Sequence, residues 1–160
     1  MSPNLFLALG IVCAVVAVAG GVWWWMSIRA APFSDIRAVI VQFPQGIIHA
    51  EVAASPLKHA AGLSARSSLA PDSGMLFVFA TPQEPAFWMK GMRFPLDFVW
   101  LRNNTVVSLN ENVSIPKNMF DFNIIQPNQS VDMVLEVNVG TIQKLGIHEG
   151  DRVEIQKDNF

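Results

Sequence analysis

Residues 87–100 hold the densest group of side chains that can do chemistry, because cationic, acidic and aromatic residues flank one predicted bend. Strand alternation places Trp88 and Lys90 on one face, with Asp97 in the strand that follows. Such a group can bind an anionic or sugar-like ligand, with the tryptophan as a stacking surface. The candidate binding residues are Arg66, Trp88, Lys90, Arg93 and Asp97.

The same side chains also have a structural interpretation, which the sequence favours. Asp97 can pair with Arg66 or Lys90 and fix the bend, since structural ion pairs are common in small β domains. Trp88 can belong to the core, because large aromatic side chains supply much of the buried area of a small domain. Both interpretations place these residues at one bend of the chain.

Two further carboxylates, Glu136 and Asp151, are secondary candidates, because a carboxylate pair can act as general acid and base. Asp151 follows Gly150 in a predicted turn, where aspartate is favoured for local hydrogen bonding. Glu136 can simply pair with a basic neighbour. No serine-nucleophile motif or glycine-rich phosphate loop occurs in the sequence.

Metal and cofactor sites are not predicted. The histidines His49, His59 and His148 have no metal-ligand spacing, and the one cysteine, Cys13, lies in an apolar leader. His59 is a candidate proton carrier, although a structural histidine is the favoured interpretation. The remainder of the chain therefore has no thiol nucleophile and no cysteine-based zinc site.

Charge is distributed unevenly along the 160 residues. Charged residues make up 15% of the chain, against about a quarter in an ordinary soluble domain, and none precedes Arg29. The formal net charge is −2, and no run of lysine or arginine occurs. The sequence therefore does not predict a nucleic-acid partner.

The apolar leader predicts a single transmembrane helix over residues 5–26. As a helix it would span roughly 33 Å, enough to cross a hydrocarbon core of ~30 Å. The tryptophans at positions 23–25 suit an interfacial anchor. A cleaved signal peptide is the alternative, but the leader lacks a basic start and exceeds the usual apolar length. The lipid bilayer is the predicted partner of this segment.

The remaining pattern predicts a mainly β domain with two short helices. Residues 37–43 and 47–53 form a predicted hairpin, Ser55-Pro56 begins a short helix, and Thr141–Leu145 forms another that ends at Gly146. Val131–Val137 alternates as a half-buried strand. We expect an anchor at residues 1–29, a linker at 30–36, and a β-sandwich or partial barrel over 37–160.

Several ordered blocks resemble one family. Gly74–Phe79, Phe87–Lys90 and Pro95–Asp97 are similar to the signature of domain of unknown function 192, and the similarity covers residues 39–155. The chain departs from the family pattern at Ser64, where methionine is usual. It departs again at Gly91-Met92, where asparagine and threonine are usual. The resemblance implies a small jelly-roll β-sandwich located outside the cytoplasm, with no established catalytic activity.

Orientation in the membrane has two interpretations. Arg29 and Arg37 follow the leader, and the positive-inside rule taken alone would place the domain in the cytoplasm. The family resemblance implies the opposite, an extracytoplasmic domain of a single-pass envelope protein.

Two functional hypotheses follow. The favoured one is a membrane-tethered, non-catalytic ligand-binding or assembly module of the cell envelope, with a small polar or glycan ligand or a protein partner. The alternative is a small extracytoplasmic hydrolase that uses a carboxylate, Asp97 or Glu136, with Lys90 and Arg66.

Overall fold

The backbone is organised around one seven-stranded sheet and a separate two-stranded ribbon. The computed structural model describes residues 37–64, 66–118 and 124–158. Its strands and helices, in chain order, are β1 Ala38–Phe43, β2 Gly46–Ala53, α1 Pro56–Ala61, β3 Ser73–Gln83, β4 Phe87–Trp88, β5 Leu96–Arg102, β6 Thr105–Val113, β7 Ile124–Ile125, β8 Val131–Asn138, α2 Thr141–Leu145 and β9 Glu154–Lys157.

Local sequence signals place several of these elements. Ser55 is the N-cap of α1, with a proline at the first helical turn. Gly146 ends α2 in the left-handed conformation. Asn103 and Asn104 have positive φ values of 50° and 58°, as a tight hairpin turn between β5 and β6 requires. The predictions of a mainly β fold and of two short helices are confirmed.

The main sheet is mixed and has the order β6-β5-β8-β3-β2-β1-β9. β1 and β2 form the expected antiparallel hairpin, but β2 and β3 pair in parallel. Helix α1 lies in the connection between these two strands, which lets the chain return in the same direction. This parallel pair was not predicted from the sequence.

The two edges of the sheet are joined by hydrogen bonds. The Val106 N–H donates to the Asp151 carbonyl oxygen at 2.8 Å, and the Gly150 N–H donates to the Val106 carbonyl oxygen at 2.8 Å. The Val153 N–H donates to the Asn104 carbonyl oxygen at 2.9 Å. The segment that precedes β9 therefore covers part of the exposed edge of β6.

Three adjacent strands, β5, β8 and β3, are buried on both faces. Leu76 and Val78 of β3 pack into one apolar cluster, whereas Met75 and Phe77 pack into a second cluster on the opposite face. Strand β8 follows the same pattern. Val134 and Glu136, which lie on the face opposite to the alternating apolar residues, are buried as well. The prediction that Val131–Val137 is half-buried is therefore wrong, because α1, the β4 segment and neighbouring loops cover the face expected to meet water.

Asp97 connects three elements from a fully buried position in β5. Its Oδ1 accepts a hydrogen bond from the Asn112 N–H at 2.9 Å, and its Oδ2 accepts one from the Ile142 N–H at 3.1 Å. Asn112 has a positive φ of 54° and lies at an irregularity in the β5–β6 register. The carboxylate thus satisfies a bulged strand and the first turn of α2, and its described partners are backbone amides.

The predicted transmembrane segment, residues 5–26, and the whole predicted linker, residues 30–36, lie outside the described residues. Among residues 37–64, 66–118 and 124–158, no helix has the length and apolarity that a membrane crossing needs.

Replacing Asp97 with alanine should lower the free energy of unfolding by about 3–5 kcal/mol, because two backbone N–H groups, one buried and one partly buried, lose a charged acceptor. Urea unfolding of the purified full-length protein measures the change. The matched control is Asp72→Asn, which removes an exposed 2.8 Å ion pair to Lys144 of the same helix α2. The control should cost less than about 1 kcal/mol. Equal costs for the two variants would contradict this role of Asp97.

Candidate functional site

A cavity of about 180 Å³ opens on the second face of the main sheet, the face that carries Met75 and Phe77. Helix α1 and the turn after it form one wall, and the chain around β4 forms another. The floor is the sheet itself. The lining consists of residues 59–64 and 85–90 with Phe77, Phe79, Met92 and Glu136.

Aromatic rings hold the walls in place. Phe77 of β3 contacts Phe87 of β4 edge-to-face, with ring centroids 4.9 Å apart. His59 of α1 lies 5.8 Å from Phe77 and 5.1 Å from Phe79. Phe87 in turn packs edge-to-face on Trp100 at 5.7 Å. Such offset and edge-to-face pairs stabilise beyond the area they bury, so the cavity walls are fixed by packing.

Glu136 is the buried polar group of this cavity and is only 6% exposed. Its partners across the sheet are Met75 of β3 and Phe98 of β5, which are both apolar. Its carboxyl oxygens have no hydrogen bond or ion pair to the described residues, and they are not fully enclosed by protein, so they face the open space of the cavity. Burial raises the pKa of Glu136 to about 8, because the charged form loses its hydration without a compensating partner.

The other polar groups of the inner wall already donate their hydrogens within the protein. His59 Nε2 lies 2.9 Å from the Ala53 carbonyl oxygen and therefore donates to it, since a carbonyl oxygen only accepts. Ser64 Oγ donates to the Ala61 carbonyl oxygen at 2.7 Å. With these bonds made, the hydroxyl retains only acceptor capacity toward a ligand, and so does the imidazole whenever it is neutral.

The rim of the cavity carries Trp88 and Lys90. Trp88 is 63% exposed, and Lys90 Nζ lies 5.8 Å from the centroid of its ring. Trp88 is paired across the β4–β7 ribbon with Ile124, which is exposed to a similar extent. The structural interpretation of Trp88 as a core residue is therefore wrong. Among the described residues, Trp100 is fully buried instead, and its Nε1 donates to Asn110 Oδ1 at 2.7 Å.

The structure separates the remaining sequence candidates from this cavity. Arg66 forms a bidentate pair with Glu51, at 2.6 and 2.7 Å, which lowers the pKa of Glu51 and raises that of Arg66. Arg93 is exposed, and Asp97 is buried against α2. Asp151 Oδ2 accepts from the His148 N–H at 2.8 Å within a turn. Of the five primary candidates, the lining of the cavity includes Trp88 and Lys90.

Asp97 and Glu136 belong to opposite faces of the sheet. Asp97 pairs with Val137, which belongs to the first cluster, whereas Glu136 pairs with Phe98 of the second cluster. Successive residues of a strand point to opposite faces. These two carboxylates therefore do not converge on one substrate.

A second, more open cavity of about 290 Å³ contains Arg66 and its partner Glu51. It also contains His49, whose Nδ1 lies 2.9 Å from Asp158 Oδ2, and Ser73, which is the register partner of His49. Ser73 Oγ donates to the Pro71 carbonyl oxygen at 3.5 Å, a weak local bond.

The family model described as DUF192, uncharacterized ACR, matches residues 39–155. The chain belongs to the DUF192 family. Two solved structures are similar to it. One, described as a candidate transcription regulator from Sinorhizobium meliloti, is 34% identical with a TM-score of 0.64, and the match covers 74% of this chain and 92% of that one.

The other solved structure is a protein of unknown function from Novosphingobium aromaticivorans. It is 30% identical with a TM-score of 0.64, and the match covers 77% of this chain and 89% of that one. No match was found among curated proteins. The resemblance to the family that the sequence indicated is confirmed, and neither the family description nor the similar structures specify a reaction.

The two departures from the family pattern lie against each other in the fold. A Cβ added at Gly91 would lie 3.6 Å from the Cβ of Ser64. Gly91 has a φ of +78°, which glycine and asparagine adopt most readily, so the usual asparagine fits the same backbone. Ser64 and Met92 both line the cavity. The departures therefore change the wall of the cavity in this chain.

Sequence reasoning placed Glu136 second and missed the aromatic wall. The missed signal is the composition of β8, in which a lone glutamate interrupts a run of apolar residues from Met133 to Val137. A central strand that is buried on both faces reads as a continuous apolar run. A charged residue within such a run therefore indicates a buried polar group more strongly than a charged residue in an alternating strand does.

The raised pKa of Glu136 predicts a specific dependence of stability on pH. Folding takes up a proton between the ordinary carboxyl pKa, 4.5, and the folded value of about 8. The free energy of unfolding should therefore fall as pH rises through this window, by a total on the order of 3–5 kcal/mol. Urea unfolding at pH 5, 7 and 8.5 measures this slope.

Glu136→Gln should remove the contribution of this residue, since glutamine has no proton to lose. Relative to wild type, the variant should gain stability steadily between pH 5 and 8.5. The exposed Glu84→Gln is the matched control, and its difference from wild type should stay constant. A Glu136→Gln difference that does not vary with pH would show that the carboxyl group is not desolvated.

Proposed function

We propose that this DUF192 protein is a non-catalytic module that binds a small organic molecule in the cavity floored by Glu136. The observation that supports it is a nearly buried carboxyl group, without a protein partner, in a cavity walled by aromatic rings. Buried polar side chains in proteins nearly always have a hydrogen-bond partner. A ligand that supplies this partner gives a physical reason for an otherwise costly arrangement.

Cavity size and lining constrain the ligand. A volume of about 180 Å³ is close to that of an engineered ~150 Å³ cavity that binds benzene. Phenylalanine, methionine and alanine side chains favour an apolar body, and the polar groups at the floor and rim orient it. These features favour a compact ligand of about one ring, with a hydrogen-bonding group directed at Glu136, over an extended glycan.

A hydrolase is the second candidate, because a carboxyl group whose pKa is raised to about 8 can serve as a general acid near neutral pH. This function needs a second group in the same cleft. Asp97 is directed to the opposite face, and both of its oxygens accept from backbone amides. Arg66 is paired with Glu51 in the other cavity. Binding is therefore the better-supported function.

We also propose that residues 5–26 tether this module to a membrane as a single-pass helix, with the domain on the extracytoplasmic side. The span rests on the uncharged apolar run and its three terminal tryptophans. The extracytoplasmic side rests on the family resemblance.

The hydrogen bonds that join the two edges of the main sheet support a partial barrel over an open jelly-roll sandwich. We do not assign transcription regulation, which the description of the Sinorhizobium relative names, to this chain. The present sequence has net charge −2 and no basic stripe.

Binding can be tested with benzyl alcohol, a neutral one-ring probe. We expect saturable binding to the purified full-length protein by ligand-detected NMR, with the same buffer and detergent without protein as the blank. Ala60→Phe and Ala61→Phe, on the α1 wall, should each weaken binding at least tenfold by filling the cavity. Ala80→Phe is the matched control on an exposed position outside the lining, and it should bind like wild type. Unchanged affinity in both wall variants would overturn the assignment of the cavity.

The tether can be tested by alkaline carbonate extraction of membranes. Full-length protein should stay in the membrane pellet, because an apolar span of this length inserts almost irreversibly. A variant that lacks residues 1–29 should appear in the supernatant. Release of unprocessed full-length protein without detergent would contradict the tether and leave the proposed binding site untouched.

A further inference from the structure

The inner surface of the cavity is rich in hydrogen-bond acceptors and poor in donors. His59 Nε2 and Ser64 Oγ already donate to backbone carbonyl oxygens of Ala53 and Ala61. Glu136 is an acceptor on both oxygens when ionised. The donor-rich group of the lining, the Lys90 ammonium, lies at the rim beside Trp88 rather than at the floor. A ligand group that donates several hydrogens complements this inner surface.

The walls also favour positive charge. His59, Phe77 and Phe79 form a contiguous group of rings, with centroids 5.1–5.8 Å apart, and Phe87 continues it from Phe77. Phenylalanine rings carry negative potential on their faces and attract ligand cations within about 6 Å, which applies to Phe77, Phe79 and Phe87 but not to the imidazole of His59. Together with one carboxyl group, such rings are suited to an ammonium group.

On these grounds we propose that the ligand is a small organic cation with one ring or a short chain, whose ammonium group pairs with the Glu136 carboxylate. The inference rests on the proposed binding function and specifies its ligand class. When Glu136 is protonated, it releases its proton to solvent on binding, and the ammonium group pairs with the resulting carboxylate. No covalent bond of the ligand changes.

The charged groups around Glu136 permit this pairing. Helix α1 contributes His59, and the segment after β4 contributes Lys90. Strands β3 and β5 contribute the apolar Met75 and Phe98 beside Glu136, while the carboxylate of Asp97 lies on the other face. Lys58, also on α1, donates to the Val52 carbonyl oxygen at 3.0 Å. Lys90 is exposed, so water and salt screen its repulsion of a bound cation.

Proton linkage gives the inference a distinctive signature. Burial raises the pKa of Glu136 to about 8, so the carboxyl group is mostly protonated at pH 6 and must ionise to pair with a cation. The affinity for a cation should therefore rise about tenfold per pH unit between pH 6 and 8. The affinity for a neutral ligand should change little over the same range.

Three probes of nearly equal shape test the charge: benzylammonium, benzyl alcohol and benzoate. Titration calorimetry at pH 8 on the full-length protein should show benzylammonium binding at least tenfold more tightly than benzyl alcohol, with benzoate weakest. At pH 6.5, comparison of two buffers with different ionisation enthalpies should show close to one proton released per benzylammonium bound. Benzyl alcohol should release none.

Glu136→Gln is the decisive variant, since it retains the shape of the side chain but cannot become anionic. It should lose both the preference for benzylammonium over benzyl alcohol and the pH dependence of benzylammonium binding. If benzyl alcohol binds and benzylammonium binds no more tightly, the cation assignment is overturned and the binding function stands. If no probe binds at any pH, the binding function is overturned and the cation assignment falls with it.

Discussion

Burial of both faces of three adjacent strands of the main sheet is the constraint on which the rest of the structure depends. Strands β5, β8 and β3 carry apolar side chains in both directions, so each face needs its own cover. The first face is covered by the curled sheet and α2. The second face is covered by α1, the β4–β7 ribbon and the intervening loops. The cavity lies where this second cover is incomplete.

The same constraint gives two neighbouring carboxyl positions different roles. Asp97 on β5 points to the first face, where backbone amides of β6 and α2 solvate it. Glu136 on β8 points to the second face, where it meets apolar side chains and the cavity. One carboxylate is therefore a structural link, because its hydrogen bonds are complete, whereas the other retains unused hydrogen-bonding capacity.

Local patterns in the sequence were sufficient to predict the strands, helices and turns. They were not sufficient to predict which segments cover each face of the sheet. The Ser55-Pro56 cap, the Asn103-Asn104 turn and the Gly146 stop each depend on neighbours in sequence, and the structure contains all three. Burial depends on distant segments, so β8 was predicted to have a solvent face that α1 and β4 in fact cover. The aromatic wall was missed for the same reason, since His59, Phe77 and Phe87 are brought together only by the fold.

The hydrogen bonds that join the sheet edges have a consequence for biosynthesis. Residues 150–153, which bond to β6, are translated after every strand of the main sheet except β9. While the ribosome is still adding them, β6 presents unpaired backbone groups along its outer side, a template for association with other nascent chains. The outer edge of β6 is protected only when the end of the domain has been synthesised. A chain interrupted shortly after α2 would therefore contain nearly all of the core residues but would expose an unpaired strand edge that can associate with other chains.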